Sequence, residues 1–74
     1  MKFTYDKDAD AAYLQLSQVK DDRGIVKKTV PVTDDINIDY DAQDRMFGIE
    51  FLNASNLLPA ALLSEDAARR KKSA

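Results

Sequence analysis

From Lys2 to Leu52, apolar and polar residues alternate in short runs separated by Asp-rich breaks. A period of two predicts strands with one dry face and one wet face. Lys2–Tyr5 puts Phe3 and Tyr5 on one side. Asp6–Asp10 reads as a turn, because Asp carboxylates accept bonds from nearby backbone N–H groups. Ala11–Leu16 points Ala12, Leu14 and Leu16 inward and Tyr13 and Gln15 outward. Ser17–Gly24 is a polar loop, closed by Gly24, which can adopt positive φ. The third strand is Ile25–Val32, with Val26, Val30 and Val32 on one side and Lys27 and Thr29 on the other. Lys28 breaks its inward set and Pro31 cannot donate to a ladder, so this strand belongs at an edge or a bulge. A tight turn at Thr33–Asp35 leads into Ile36–Tyr40, with Ile36, Ile38 and Tyr40 inward and Asn37 and Asp39 outward. Asp41–Arg45 is a hairpin loop. Met46–Leu52 returns with Phe47, Ile49 and Phe51 inward and Gly48 and Glu50 outward.

The alternation stops after Asn53. Asn53–Leu58 is apolar without a period, and Pro59 suits a first helical position because its missing N–H is not needed there. Ala60–Lys72 is rich in helix formers. Ser64 could cap a second start, with Glu65 and Asp66 in the first turn and Arg69–Lys72 in the last, both favourable to the helix dipole. The fold expected is α+β and mainly β: a single antiparallel sheet of about five strands with a C-terminal helix. Residues 1–58 form the antiparallel β domain and residues 59–74 the helix and basic tail.

At 74 residues the chain has room for one domain with a thin core. It contains neither Cys nor His, which excludes disulfides, thiolate metal sites and imidazole ligands. With those supports gone, self-association is expected, as a homodimer. No apolar h-region follows Met1, and no apolar run approaches the roughly 20 residues of a membrane span. These features make the cytoplasm the expected location.

Charge is unevenly distributed. Of the eleven Lys and Arg, the four at Arg69, Arg70, Lys71 and Lys72 lie in the tail. Seven therefore face all thirteen Asp and Glu within residues 1–66. The acidic body repels phosphate and makes a poor nucleic-acid surface. The basic tail could meet phosphate, but short charge runs are more commonly solvated helix ends.

Candidate chemistry is sparse. Asp6, Asp8 and Asp10 have the spacing that opens a calcium loop, yet position six is Ala11, where a Gly is needed, and position twelve is Ser17, where a bidentate Glu is needed. Asp39, Asp41, Asp44 and Glu50 gather on the last hairpin, where magnesium binding or acid–base chemistry is conceivable. An exposed hairpin face, however, lacks the cleft that shifts a pKa. Ser17, Ser55 and Ser64 have no His to activate them. Lys27 and Lys28 fit an edge strand as guards against aggregation. Tyr5, Tyr13 and Tyr40 could stack bases, but two of them fall on the core face of an acidic molecule. Gly24 and Gly48 alone cannot build a phosphate-cradling loop. No catalytic, cofactor-binding or metal-binding residue is assigned, no cofactor is expected, and the balance is against an enzyme.

Four segments carry a resemblance: Tyr5-Asp6; Asp10-Ala11-Ala12-Tyr13-Leu14-Gln15-Leu16; Ile36-Asn37-Ile38-Asp39-Tyr40-Asp41; and Gly48-Ile49-Glu50-Phe51-Leu52-Asn53-Ala54-Ser55. Together they resemble a family of small prokaryotic proteins, domain-of-unknown-function family 2283, over about residues 2–57. The resemblance implies no established activity. Some members look like antitoxin halves of two-gene modules paired with a small RNase-like toxin. The family pattern usually has Gly where this chain has Asp44, which bears on the turn type.

The leading expectation is a non-enzymatic protein-binding module, antitoxin-like, whose acidic surface covers a basic partner. The alternatives are a metal-binding or enzymatic role for the acidic hairpin and nucleic-acid binding through the basic tail.

Overall fold

The structure is a computed structural model that describes residues 1–19 and 24–64. Five strands form one antiparallel sheet: β1 (Lys2–Asp6), β2 (Ala11–Gln15), β3 (Lys28–Pro31), β4 (Ile36–Tyr40) and β5 (Met46–Leu52). Their spatial order is β1-β2-β5-β4-β3. The last strand in sequence therefore lies in the middle, between the hairpin β1–β2 and strand β4.

The registers sort the side chains into rows. Phe3, Leu14, Ile49, Ile38 and Val30 stand opposite one another across all five strands, and Tyr5, Ala12, Phe51 and Ile36 form a second row beside them. Both rows lie on one face, as the alternation predicts. The other face carries Thr4, Tyr13, Glu50, Asn37 and Pro31 in one row and Lys2, Gln15, Gly48, Asp39 and Thr29 in the next.

β3 is an edge strand, as Lys28 and Pro31 suggest. Val32 donates its N–H to the Ile36 carbonyl at 2.8 Å. By alternation, the backbone groups of Lys28 and Val30 then also face β4, and those of Thr29 and Pro31 face outward. Pro31 thus sits where a missing N–H costs no ladder bond, and it blunts that edge. The strand is shorter than Ile25–Val32: its ordered pairing covers only Lys28–Pro31, preceded by a turn at Gly24 with φ +75°. Lys27 still donates its N–H to the Tyr40 carbonyl at 2.9 Å. Lys28, out of place on the apolar face, sets its Nζ 5.1 Å from the Tyr40 ring centroid and pairs with Asp44 at 3.2 Å. The bulge lies elsewhere, between β4 and β5. Asp39 opposes Gly48 but Tyr40 opposes Met46, leaving Phe47 as the extra residue.

The turns depend on non-glycine residues in the left-handed region. Asp10 has φ 50°, Asp44 φ 58° and Asn53 φ 56°. Asp and Asn tolerate this region better than most side chains.

Two short helical segments follow β5. α1 (Ala54–Leu57) was not signalled by the sequence, and α2 spans 60–64. Pro59 precedes α2 and its carbonyl accepts from Leu62 N at 3.0 Å, in keeping with its expected place at a helix start. Ser64 lies within α2 and is the last described residue, so the second start expected after it lies outside the described residues. The expected continuation to Lys72 and its basic tail lie outside the described residues.

Among the described residues, only Ala12, Phe47, Ala54 and Leu63 are buried apolar residues, and no large side chain is fully buried. Phe3, Tyr5, Leu14, Ile36, Ile38, Ile49 and Phe51 are all half-buried. A sheet hydrophobic on one face normally packs that face against a second layer. Among the described residues, nine helical positions are too few to supply one for five strands.

Candidate functional site

The expected inner and outer positions hold, so the outward carboxylates share the polar face. Each is tied to a neutral donor. Asp39, on β4, accepts from Tyr13 Oη on β2 at 2.7 Å and from Thr29 Oγ1 on β3 at 2.6 Å. Glu50, on β5, accepts from Asn37 Nδ2 at 2.9 Å. These bonds cross four of the five strands and satisfy the carboxylates without cancelling their charge.

Gly48 makes possible the bond between Tyr13 and Asp39, which reaches across β5. It lies between Gln15 of β2 and Asp39 of β4, and the Tyr13 ring crosses the space above it. A Cβ on Gly48 would collide with Tyr13 Oη and Cζ and would lie 2.7 Å from Cε2. A glycine inside a strand often marks such a close approach. That signal was present in the sequence, but the partner of Gly48 becomes visible only when the register is known.

Asp6, Ala11, Thr4, Tyr13 and Glu50 line a shallow groove of about 340 Å³. By register, Ala11 lies between Asp6 and Leu52, and Tyr13 between Thr4 and Glu50. Small-molecule sites are mostly enclosed and apolar. This groove is open, with polar and apolar atoms sharing its lining about equally, and it suits a protruding side chain better than a buried ligand.

The first turn does not form a cation loop. The Asp6 carboxylate accepts from the N–H groups of Asp8 at 3.1 Å and Ala9 at 3.3 Å, closing the turn on itself. Asp10 points elsewhere. Its carboxylate accepts from Tyr5 Oη at 2.7 Å, Ser55 Oγ at 2.7 Å and Ser55 N at 3.0 Å, while its carbonyl accepts from Ala54 N at 2.9 Å. The bonds from Ser55 and Tyr5 hold the Asp10 carboxyl below the usual carboxylate range. The same Asp10 contact raises the Tyr5 phenol, with burial adding to the effect. Because Tyr5 lies on the apolar face, this clamp fixes the start of α1 at the margin of that face. Ser55 is therefore a structural donor.

The acidic hairpin is also dispersed. Asp41 accepts from Gln43 N at 2.9 Å and Arg45 N at 3.0 Å inside its own turn, and the Arg45 N–H bond leads in lowering its carboxyl. Asp44 is exposed and paired with Lys28. Only Asp39 and Glu50 share a face. No three His, Cys, Asp or Glu side chains among the described residues converge as metal ligands would. Tyr13 is separated from Tyr40, which sits with Lys28, so the tyrosines form no common stacking platform.

Residues 2–55 match the profile of the family described as protein of unknown function DUF2283. The chain belongs to the DUF2283 family. Comparison with curated proteins and with solved structures returned no match. The match ends at Ser55, so the Asp10–Ser55 clamp lies wholly inside the DUF2283 region, as do Tyr13, Gly48 and Asp39. No helix among the described residues of this DUF2283 protein is long and apolar enough to cross a membrane.

Proposed function

We propose that this DUF2283 protein is a non-enzymatic protein-binding module. It is antitoxin-like, in that its acidic face covers a basic partner such as a small nuclease, and it self-associates as a homodimer. One observation carries the reading of the polar face. Asp6, Asp39 and Glu50 stand there and, among the described residues, outnumber the cations expected on that side, Lys2 and Lys27, and the two carboxylates nearest the centre, Asp39 and Glu50, accept from neutral donors. The face is thus rigid and negative. Opposite fields accelerate and orient encounter with a basic surface. The groove beside Tyr13 accepts one Lys or Arg side chain, its stem against the ring and its head between Asp6 and Glu50.

The competing reading, a metal or catalytic role for Asp39, Asp41, Asp44 and Glu50, has less support because these groups are dispersed and already engaged. A nucleic-acid role would rest on Arg69–Lys72, outside the described residues. The test is co-expression with a basic small protein encoded beside the gene, followed by a salt series on the purified pair. Capture that weakens with salt and is lost in Glu50→Lys is expected. No capture, or capture indifferent to Glu50→Lys, refutes the reading.

A further inference from the structure

We propose that the half-covered apolar face is a homodimer interface, on which a second copy of this chain lies face to face across a two-fold axis. The product is a two-layer sandwich with both acidic faces outermost. This rests on the self-association stated above and adds its place and geometry.

The first argument is the composition of the face. The row Phe3–Leu14–Ile49–Ile38–Val30 runs unbroken from one edge strand to the other, and Tyr5–Ala12–Phe51–Ile36 runs beside it. Neither row contains a charge, and Lys28, out of place on this face, is held at the border over Tyr40. A partner for such a surface must itself be broad, flat and uncharged. The face meets that description and is self-complementary about a two-fold axis.

Area is the second argument. Five strands spaced about 4.8 Å apart and five residues of about 3.3 Å each give a footprint of about 400 Å² in projection. A standard interface takes ~800 Å² per partner, so a footprint of this size, its side chains half-buried in one copy, fits a small dimer interface. The helical segments shield one margin, where Ala54 is fully buried. Val30 and Val32, at the opposite margin, remain 37% and 56% exposed.

The third argument is electrostatic. Pairing through the polar faces would bring Asp6, Asp39 and Glu50 of two copies together. Pairing through the apolar faces separates them by two sheets stacked about 10 Å apart, beyond the Debye length of about 8 Å at physiological salt.

Val30 gives a clean probe. In the monomer it is exposed on an edge strand, so Val30→Glu leaves folding intact, whereas in the dimer the charge is buried twice by symmetry. Sedimentation equilibrium of the full chain is expected to show a wild-type dimer at tens of micromolar. In Val30→Glu, the dimer should dissociate at about 100-fold higher concentration. Thr4→Lys, on the polar face, should dimerise as the wild type does. A wild-type monomer overturns this inference together with the self-association reading. A dimer unaffected by Val30→Glu, or equally weakened by Thr4→Lys, overturns the placement alone. Neither result touches the acidic-face reading.

A second measurement is independent of charge. Because the chain has no Cys, maleimide labelling of Val30→Cys reports that position alone. Its rate should fall as protein concentration rises, while Thr4→Cys labels at a constant rate. Protection of Val30→Cys that is independent of concentration would mean that the chain's own remaining segment covers the face, and would overturn the proposal.

Discussion

Replacing Gly48 with Ala tests the reading of the polar face at its tightest point. The added Cβ would occupy space held by the Tyr13 ring, and both neighbouring backbones are fixed in the sheet, so the ring must swing out. Tyr13 then loses its bond to Asp39. A hydrogen bond to a charged group is worth about 1.5–3 kcal/mol, and partial exposure here reduces that to about 1–2. Lost ring packing adds roughly 0.5–1 kcal/mol. Against this, Ala in place of Gly restricts the unfolded chain and stabilises by about 0.5–1 kcal/mol. The net expectation is a loss of about 1–2 kcal/mol, or a fall in Tm of about 4–15 °C for a domain of this size. The control is the same substitution in a Tyr13→Ala background, where the collision is absent and Gly48→Ala should be neutral or stabilising. Urea and thermal unfolding at one fixed protein concentration give both values, which keeps any mass-action term constant. Equal effects of Gly48→Ala in the two backgrounds would mean that Tyr13 and Gly48 are uncoupled, and the reasoning would fail.

Three further outcomes are expected. Ser55→Ala removes the leading stabiliser of the Asp10 carboxylate, so its carboxyl should titrate at higher pH by NMR. Because the folded-state value is depressed, the clamp's contribution is present above the ordinary carboxylate range and is lost as pH falls through the folded value. In Ser55→Ala that contribution should be smaller and its loss complete at a higher pH, and an unmoved titration would refute it. Asp44→Gly should stabilise by up to about 1 kcal/mol, since φ 58° costs Asp more than Gly, while Asn53→Gly should gain less because Asn tolerates the region better. Chemical denaturation that ranks the two in reverse would count against this account of the turns. Calorimetric titration with calcium or magnesium should give no binding heat, and a saturable isotherm would reopen the metal reading.

Strand existence, side-chain parity and the edge position of β3 were legible because each rests on local pattern: alternation at Ile36–Tyr40 and Met46–Leu52, and Lys28 and Pro31 in one short run. Strand order was not legible, because nothing local in Met46–Leu52 says that it inserts between β2 and β4. The Tyr13–Gly48–Asp39 arrangement was lost with it, since its members come from three strands brought together only by that insertion. α1 was missed because four residues with neither an N-cap bond nor a period give no helical signal. The Asp10 clamp was hidden for a related reason. Asp10 reads as a turn residue, and its partner Ser55 lies 45 positions away.

The central position of β5 also constrains how the molecule comes into being. While the chain emerges from the ribosome, β1–β2 can zip into a hairpin and β3 can meet β4, but each pair then presents an open flank with no layer beneath it. Only when residues 46–52 arrive does a single insertion join the two halves. The fold is thus closed by one of its last-made pieces, and any truncation that removes that strand leaves two unjoined fragments with sticky edges.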